Sequence, residues 1–305
     1  MSFHVLAGVS LQEDAFCISG LSSIVKGNAS GAIISGIYNH VGYNGKGIQL
    51  AGIANYNGYQ IKGAQIAGIT NIAQNVDGAQ VSGVVNIADS SKIQLSGFAN
   101  LSQQSTVQTA GFINIADTVK TQIAGFINIA HKVKGVQIAG FINVADESDY
   151  PIGVVNIIKH GDKALGISVD ELGTSLLSFR SGGRVTYGIL GLGYNFNNND
   201  ARYVLEAGLG AHFKIAEYFR INTEITASSL TDFKGNYYSK ATVRVMAGFK
   251  LGDKMEFFAG PSINYMGFDS DQNDIRKDHY LWNERKGSQY NGLFIGGTAG
   301  IQYRF

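Results

Sequence analysis

Few side chains in these 305 residues have the type and spacing to do chemistry. Glu206, His212, Glu224, Ser228 and Ser229 come closest. A carboxylate, an imidazole and a hydroxyl are the parts of an acid–base–nucleophile set, which would act on an ester or a lipid. No motif fixes these residues relative to one another, and His212 reads equally as one inward polar group of a salt-bridged barrel lumen. His4, His40, His131, His160 and His279 are scattered, and neither a His-x-x-His nor a Cys-x-x-Cys spacing occurs. No metal centre is expected from such a pattern. Cys17 stands alone and reads as a small buried hydrophobe. Gly208-x-Gly210 lies inside an alternating stretch rather than between a strand and a helix, so it is no phosphate loop. A net charge of +1 offers no electrostatic reason for a nucleic-acid partner. No catalytic, cofactor-binding or metal-binding residue is therefore assigned, and a non-enzymatic protein is expected.

The elements around these residues are more informative. One phrase, clearest at Gln122 to Ala130 (Gln-Ile-Ala-Gly-Phe-Ile-Asn-Ile-Ala), recurs through the first half of the chain. Its kernel, Gly-x-x-Asn, runs from Gly36/Asn39 through Gly52/Asn55, Gly97/Asn100 and Gly125/Asn128 to Gly153/Asn156, and Gly20 with Ser23 is a degenerate first copy. A unit this short cannot bury a core alone and must stack on its neighbours. Glycine and β-branched residues in every copy argue for strand over helix. Charges are confined to the joints, as at Asp77, Lys92, Asp117 and Lys132.

Two architectures fit. In a parallel β-solenoid each copy is one coil, like residues stack at about 4.8 Å, and the Asn column forms a hydrogen-bonded ladder. In one continuous large β-barrel each copy would be a membrane strand, and its natural period would be two copies. The observed period of one copy favours the solenoid, with the large barrel as the alternative.

Arginine is absent before Arg180, and from about residue 164 the pattern becomes strict alternation. Two domains are expected: 1–160, the repeats, and 161–305, an antiparallel membrane β-barrel of about eight strands. In Arg202 to Lys214, Tyr203, Leu205, Leu209 and Phe213 alternate with Arg202, Glu206, His212 and Lys214. Later stretches repeat this, with Val243, Phe257 and Ile301 on one face and Arg244, Glu256 and Gln302 on the other. Outer-membrane barrels turn the apolar face to lipid and the polar face to a lumen. Charges there must pair, and Arg202, Arg220, Lys240, Arg244 and Arg304 have Glu206, Glu224 and Glu256 available. No run of 18 apolar residues suggests a transmembrane helix. No leader peptide is visible either, so an exported protein would correspond to a mature chain.

The terminal Tyr303-Arg304-Phe305 resembles the closing aromatic signature of Gram-negative outer-membrane barrels. That resemblance implies the barrel assembly machinery as an insertion partner and outer-membrane lipid as surroundings. The copies between Ile48 and Gly161 resemble a bacterial surface-repeat family found in outer-membrane proteins, which implies an envelope location and no established activity. The expected function is an outer-membrane surface protein, the barrel its anchor and the repeats a presentation or binding surface for an unnamed ligand. A porin-like channel from one large barrel is the alternative, and a barrel hydrolase a lesser one. The stretch Asp269 to Ser288, with Tyr280 and Trp282, is the best candidate for an outward contact.

Overall fold

The computed structural model describes residues 1–198, 201–269 and 279–305. Two compact units divide the chain, Met1–Ser148 and Asp149–Phe305, and the last Gly-x-x-Asn copy falls in the second. The fold is all-β throughout: an N-terminal solenoid and a C-terminal eight-stranded antiparallel barrel.

In the first unit every copy is one coil, and neighbouring coils pair in parallel with like residues opposite one another. Asn86, Asn100, Asn114 and Asn128 are successive partners, as are Gln80, Gln94, Gln108, Gln122 and Gln137. That pairing excludes the continuous large barrel, whose strands would have to alternate in direction. The chain turns sharply at each Gly and its following apolar residue, which we call the vertex.

Glycine is required at the vertex by proximity. A Cβ on Gly68 would lie 2.1 Å from the carbonyl oxygen of Gly52, and one on Gly125 would lie 2.1 Å from that of Gly111. The stack, not backbone conformation, demands glycine there, because the backbone is not in the left-handed region. A second column, Gly47 (φ 110°) and Gly63 (φ 135°), does use that region and is confined to the earlier coils.

Coil length changes along the stack. Successive ladder asparagines are 16 residues apart at Asn39 and Asn55, 15 at Asn71, and 14 from Asn86 to Asn128. The step from a Gln to the Asn across the vertex stays at 6. All variation therefore falls at the end of the coil opposite the vertex. The register shifts lie there too, between Asn57 and Gln60, Ser91 and Ile93, and Val119 and Gln122.

The barrel strands are Lys163–Asp170, Thr174–Gly182, Thr186–Asn195, Tyr203–Lys214, Phe219–Thr231, Tyr237–Leu251, Met255–Asp269 and Gln289–Arg304. Each pairs antiparallel with the next, and the first closes on the eighth from Ala164 opposite Arg304 to Asp170 opposite Thr298. A short strand, Trp282–Lys286, extends the eighth outside the closed ring, and all of its residues are exposed. Residues 270–278 of the expected outward-contact stretch, along with part of the turn after Phe196, lie outside the described residues.

Candidate functional site

Alternation along the barrel strands sorts the side chains as expected. Val243, Phe249, Phe257, Ile263 and Ile295 are exposed on the outside, while Arg244, Glu224, Glu256 and Thr242 are buried inside. The lumen is built in three layers.

The middle layer is an ion-pair network. Glu224 accepts from Arg180 Nε at 2.9 Å, from the Tyr187 hydroxyl at 2.9 Å and from Arg244 Nε. Arg244 also donates to Glu206 at 2.8 Å, and Glu206 accepts from Thr226 and Ser228. Two carboxylates and two guanidiniums thus neutralise one another with hydrogen bonds on every member, the condition under which buried charge is tolerable.

Towards the C-terminal end of the last strand, Glu256 accepts from Arg220 at 2.9 Å and from Asn222 at 3.0 Å. Beside them Asp162, just ahead of the first strand, accepts from Arg304 at 2.7 Å. Burial alone would raise the Asp162 carboxyl, but Arg304, with His212 and Arg220 nearby, holds it below the usual carboxylate range. At the opposite mouth Lys240 donates to Asp170 at 2.6 Å. Glu171 accepts there from the Gly297 amide at 3.0 Å and from Asn264 at 3.1 Å.

An apolar plug closes that same mouth. Leu172, Leu176, Val204, Leu230, Tyr238, Met266, Phe268 and Phe294 form one buried cluster, against which Tyr280 and Tyr290 pack. A polar lumen was expected, and at this mouth it is apolar instead. Voids in the charged layers, one lined by Asp162, Arg180 and His212 and another by Asp170, Glu206 and Arg244, are only about 20 Å³ each. Each has room for a single water.

The candidate catalytic residues are not brought together. Ser228 donates to Glu206 at 3.1 Å, but His212 is six positions along the strand from Glu206 and stacks on Tyr187, with Asp162 3.7 Å away. Six residues of strand separate the two groups by roughly 20 Å. Ser229 faces the barrel exterior. Of the expected lumen cations, Arg220, Lys240, Arg244 and Arg304 are inside, whereas Arg202 is exposed and donates to the Tyr194 hydroxyl. Arg180, Asp162 and Asp170 complete the network and were missed. Arg180 and Asp170 lie on short strands and Asp162 just ahead of one, and partners across a closed ring follow from register, which the sequence of one strand does not contain.

The solenoid interior is polar as well. The Asn column forms the expected ladder: Asn100 Nδ2 donates to Asn114 Oδ1 at 2.9 Å, and Asn114 to Asn128 at 3.0 Å. A second ladder was not expected. Gln108 Nε2 donates to Gln94 Oε1 at 2.9 Å, and Gln122 to Gln108 at 2.9 Å. Asparagines donate towards the following coil and glutamines towards the preceding one, and both columns are fully buried. Ala110, Ala116, Ala124 and Val119 fill the space between. Cys17 is buried with Val25, Ala29, Ile33 and Val41.

One titratable cluster lies in the first coils: ligand atoms of His4, Glu13 and Cys17 fall within 4.8 Å of one another. Glu13 already accepts from Ser2 at 3.0 Å and Cys17 contacts Ser23, leaving His4 Nε2 as the group without a partner.

No protein-family model matches the chain, and neither does any curated protein sequence. Two solved structures are similar to part of it. A designed transmembrane β-barrel shares 13% identity over 47% of this chain and 93% of its own, with a TM-score of 0.29. Neisserial surface protein A shares 13% over 47% of this chain and 94% of its own, with a TM-score of 0.27. At those scores the likeness carries no argument, and the barrel rests on its own strand pairing and closure.

Proposed function

We propose that the chain is a non-enzymatic outer-membrane protein of a Gram-negative envelope, anchored by the barrel and carrying the solenoid as its functional surface. One observation carries this reading: the barrel is apolar outside and holds a neutralised ion-pair network inside. Water would reward the opposite arrangement, and lipid requires this one. The plugged, charge-filled lumen argues against a channel, and the porin alternative falls with the continuous barrel on which it depended. The six strand positions between His212 and Glu206, the partner of Ser228, weigh against a barrel hydrolase. The final strand ends in Tyr303-Arg304-Phe305, which suits handling by the barrel assembly machinery.

Cell fractionation tests the proposal. The protein is expected in the outer-membrane fraction, with heat-modifiable migration on gels. Recovery as a soluble monomer without detergent would overturn it.

A further inference from the structure

The solenoid shares the barrel's inversion. Behind the vertex its interior is lined by the amide columns and alanines, with valines such as Val76, Val119 and Val133 farther from the vertex, and its vertex side is apolar on the outside. Each coil places one large apolar residue directly after the vertex glycine, from Leu21 through Ile53 and Val84 to Phe141, and these are between 39% and 51% exposed. Phe98, Phe112, Phe126 and Phe141 stack ring on ring with centroids 5.1 to 5.3 Å apart. Leu50, Ile66, Leu95 and Ile123 flank this column on one side, Ile87 and Ile115 on the other, all exposed. From Gln65 to Ala73 and in every later copy through Gln137 to Ala145, no Asp, Glu, Lys or Arg interrupts the nine residues around the vertex.

Nine coils at about 4.8 Å make a face roughly 40 Å long. With about 20 Å of chain folded over the vertex, its area is on the order of 800 Å², beyond the few hundred typical of a soluble monomer. Charged residues begin five or six positions from the vertex, at Lys62, Asp77, Lys92, Asp117 and Lys120. At about 3.3 Å per residue this is ~16–20 Å, close to the ~15 Å hydrocarbon depth of one leaflet. The face repeats itself at nearly every coil, and outward polar side chains on it, such as Tyr56, Thr109 and Thr121, are isolated and uncharged. Fluid acyl chains need no register, whereas a protein interface normally has a polar rim and a few anchors. Backbone groups at the vertex are bonded coil to coil, as in Phe126 N–H to Phe112 O at 3.2 Å, so none would meet hydrocarbon unpaired.

We infer that the vertex edge of the solenoid is buried in the hydrocarbon of one membrane leaflet, with lipid acyl chains as its occupant and the charged ends of the coils at headgroup level. This rests on the reading of the barrel as a membrane protein, and its test separates the two. The full chain, with its single tryptophan removed as Trp282→Phe, is reconstituted into phosphatidylcholine vesicles with or without bromines deep on the acyl chains. Four variants each add one tryptophan: Phe112→Trp and Phe126→Trp at the vertex, Lys120→Trp at the charged end, and Val243→Trp on the barrel exterior. Blue-shifted emission quenched at least twofold by the bromines is expected at residues 112, 126 and 243, with little quenching at 120. Quenching at 243 but not at either vertex position overturns the inference and leaves the barrel reading standing. Quenching at neither region overturns both. Blue-shifted but unquenched vertex emission also overturns it, since a second copy or another protein then covers the face.

Discussion

Solenoid and barrel both keep polar groups inside and apolar groups outside, yet they fill the interior differently. Ladders of neutral amides occupy the solenoid, and an irregular set of unlike charges occupies the barrel. Symmetry explains the difference. A coil stacked on its copy sets each residue on its own kind, and like charges about 4.8 Å apart would repel by about 3.5 kcal/mol per step at an effective dielectric near 20. Only a group that is donor and acceptor at once can stack on itself, which the carboxamides of Asn and Gln are. The barrel has no translation to obey, so Glu224 can lie between Arg180 and Arg244. A repeated polar core is thus restricted to self-complementary chemistry, and a unique one is not.

Removing one member from each kind of core sharpens this contrast, and the barrel should show the larger effect. Glu224→Gln leaves two buried guanidiniums short of a counter-charge and should cost about 3–5 kcal/mol, read as a lowered denaturant midpoint in detergent. Leu205→Arg or Val243→Arg on the barrel exterior should cost roughly 2–4 kcal/mol near the bilayer midplane, measured as folding in lipid vesicles. Full tolerance there would mean that the faces have been misread. In the solenoid, Asn128→Leu unpairs one amide on each side and should cost about 1–3 kcal/mol. Asn128→Asp should cost more, because it introduces the charge that the ladder cannot accept. Equal effects of Leu and Asp would break the symmetry account.

How much was legible in the sequence follows the same division. The Asn ladder follows from a period of one copy, because translation puts Asn114 on Asn128 without further information. Gln122 stood in the same phrase, and its burial follows only once the chain is known to double back at Gly125, which places residues on both sides of the vertex on one interior. Barrel faces were legible from alternation in Tyr203–Lys214 and the strands after it. Pairings such as Arg180 with Glu224, 44 residues apart, were not, since they depend on closure and shear around the whole ring. The apolar plug was hidden for a related reason: Val204, Tyr238 and Phe268 lie on lumen-facing positions at strand ends, where outward loops begin.

The smallest expected effect concerns acidity. Asp162 has its folded value held below 3.8, so its contribution is complete above that value and is lost as the pH falls through the lower folded one. Melting of the barrel in detergent should therefore separate wild type from Asp162→Asn at neutral pH, and the gap should close as the pH drops below 3.8. A gap that persists in acid would assign the effect to packing.

The two amide ladders point in opposite directions, and this bears on how long the array can grow. A single column of carboxamides aligned along the stack would sum like the peptide units of a helix and accumulate partial charge at its ends. Asn114 donates towards one end of the stack while Gln122 donates towards the other, so each added coil contributes two opposed dipoles. The sum stays near zero at any length, and coil number becomes electrostatically neutral ground on which duplication and loss of copies can act.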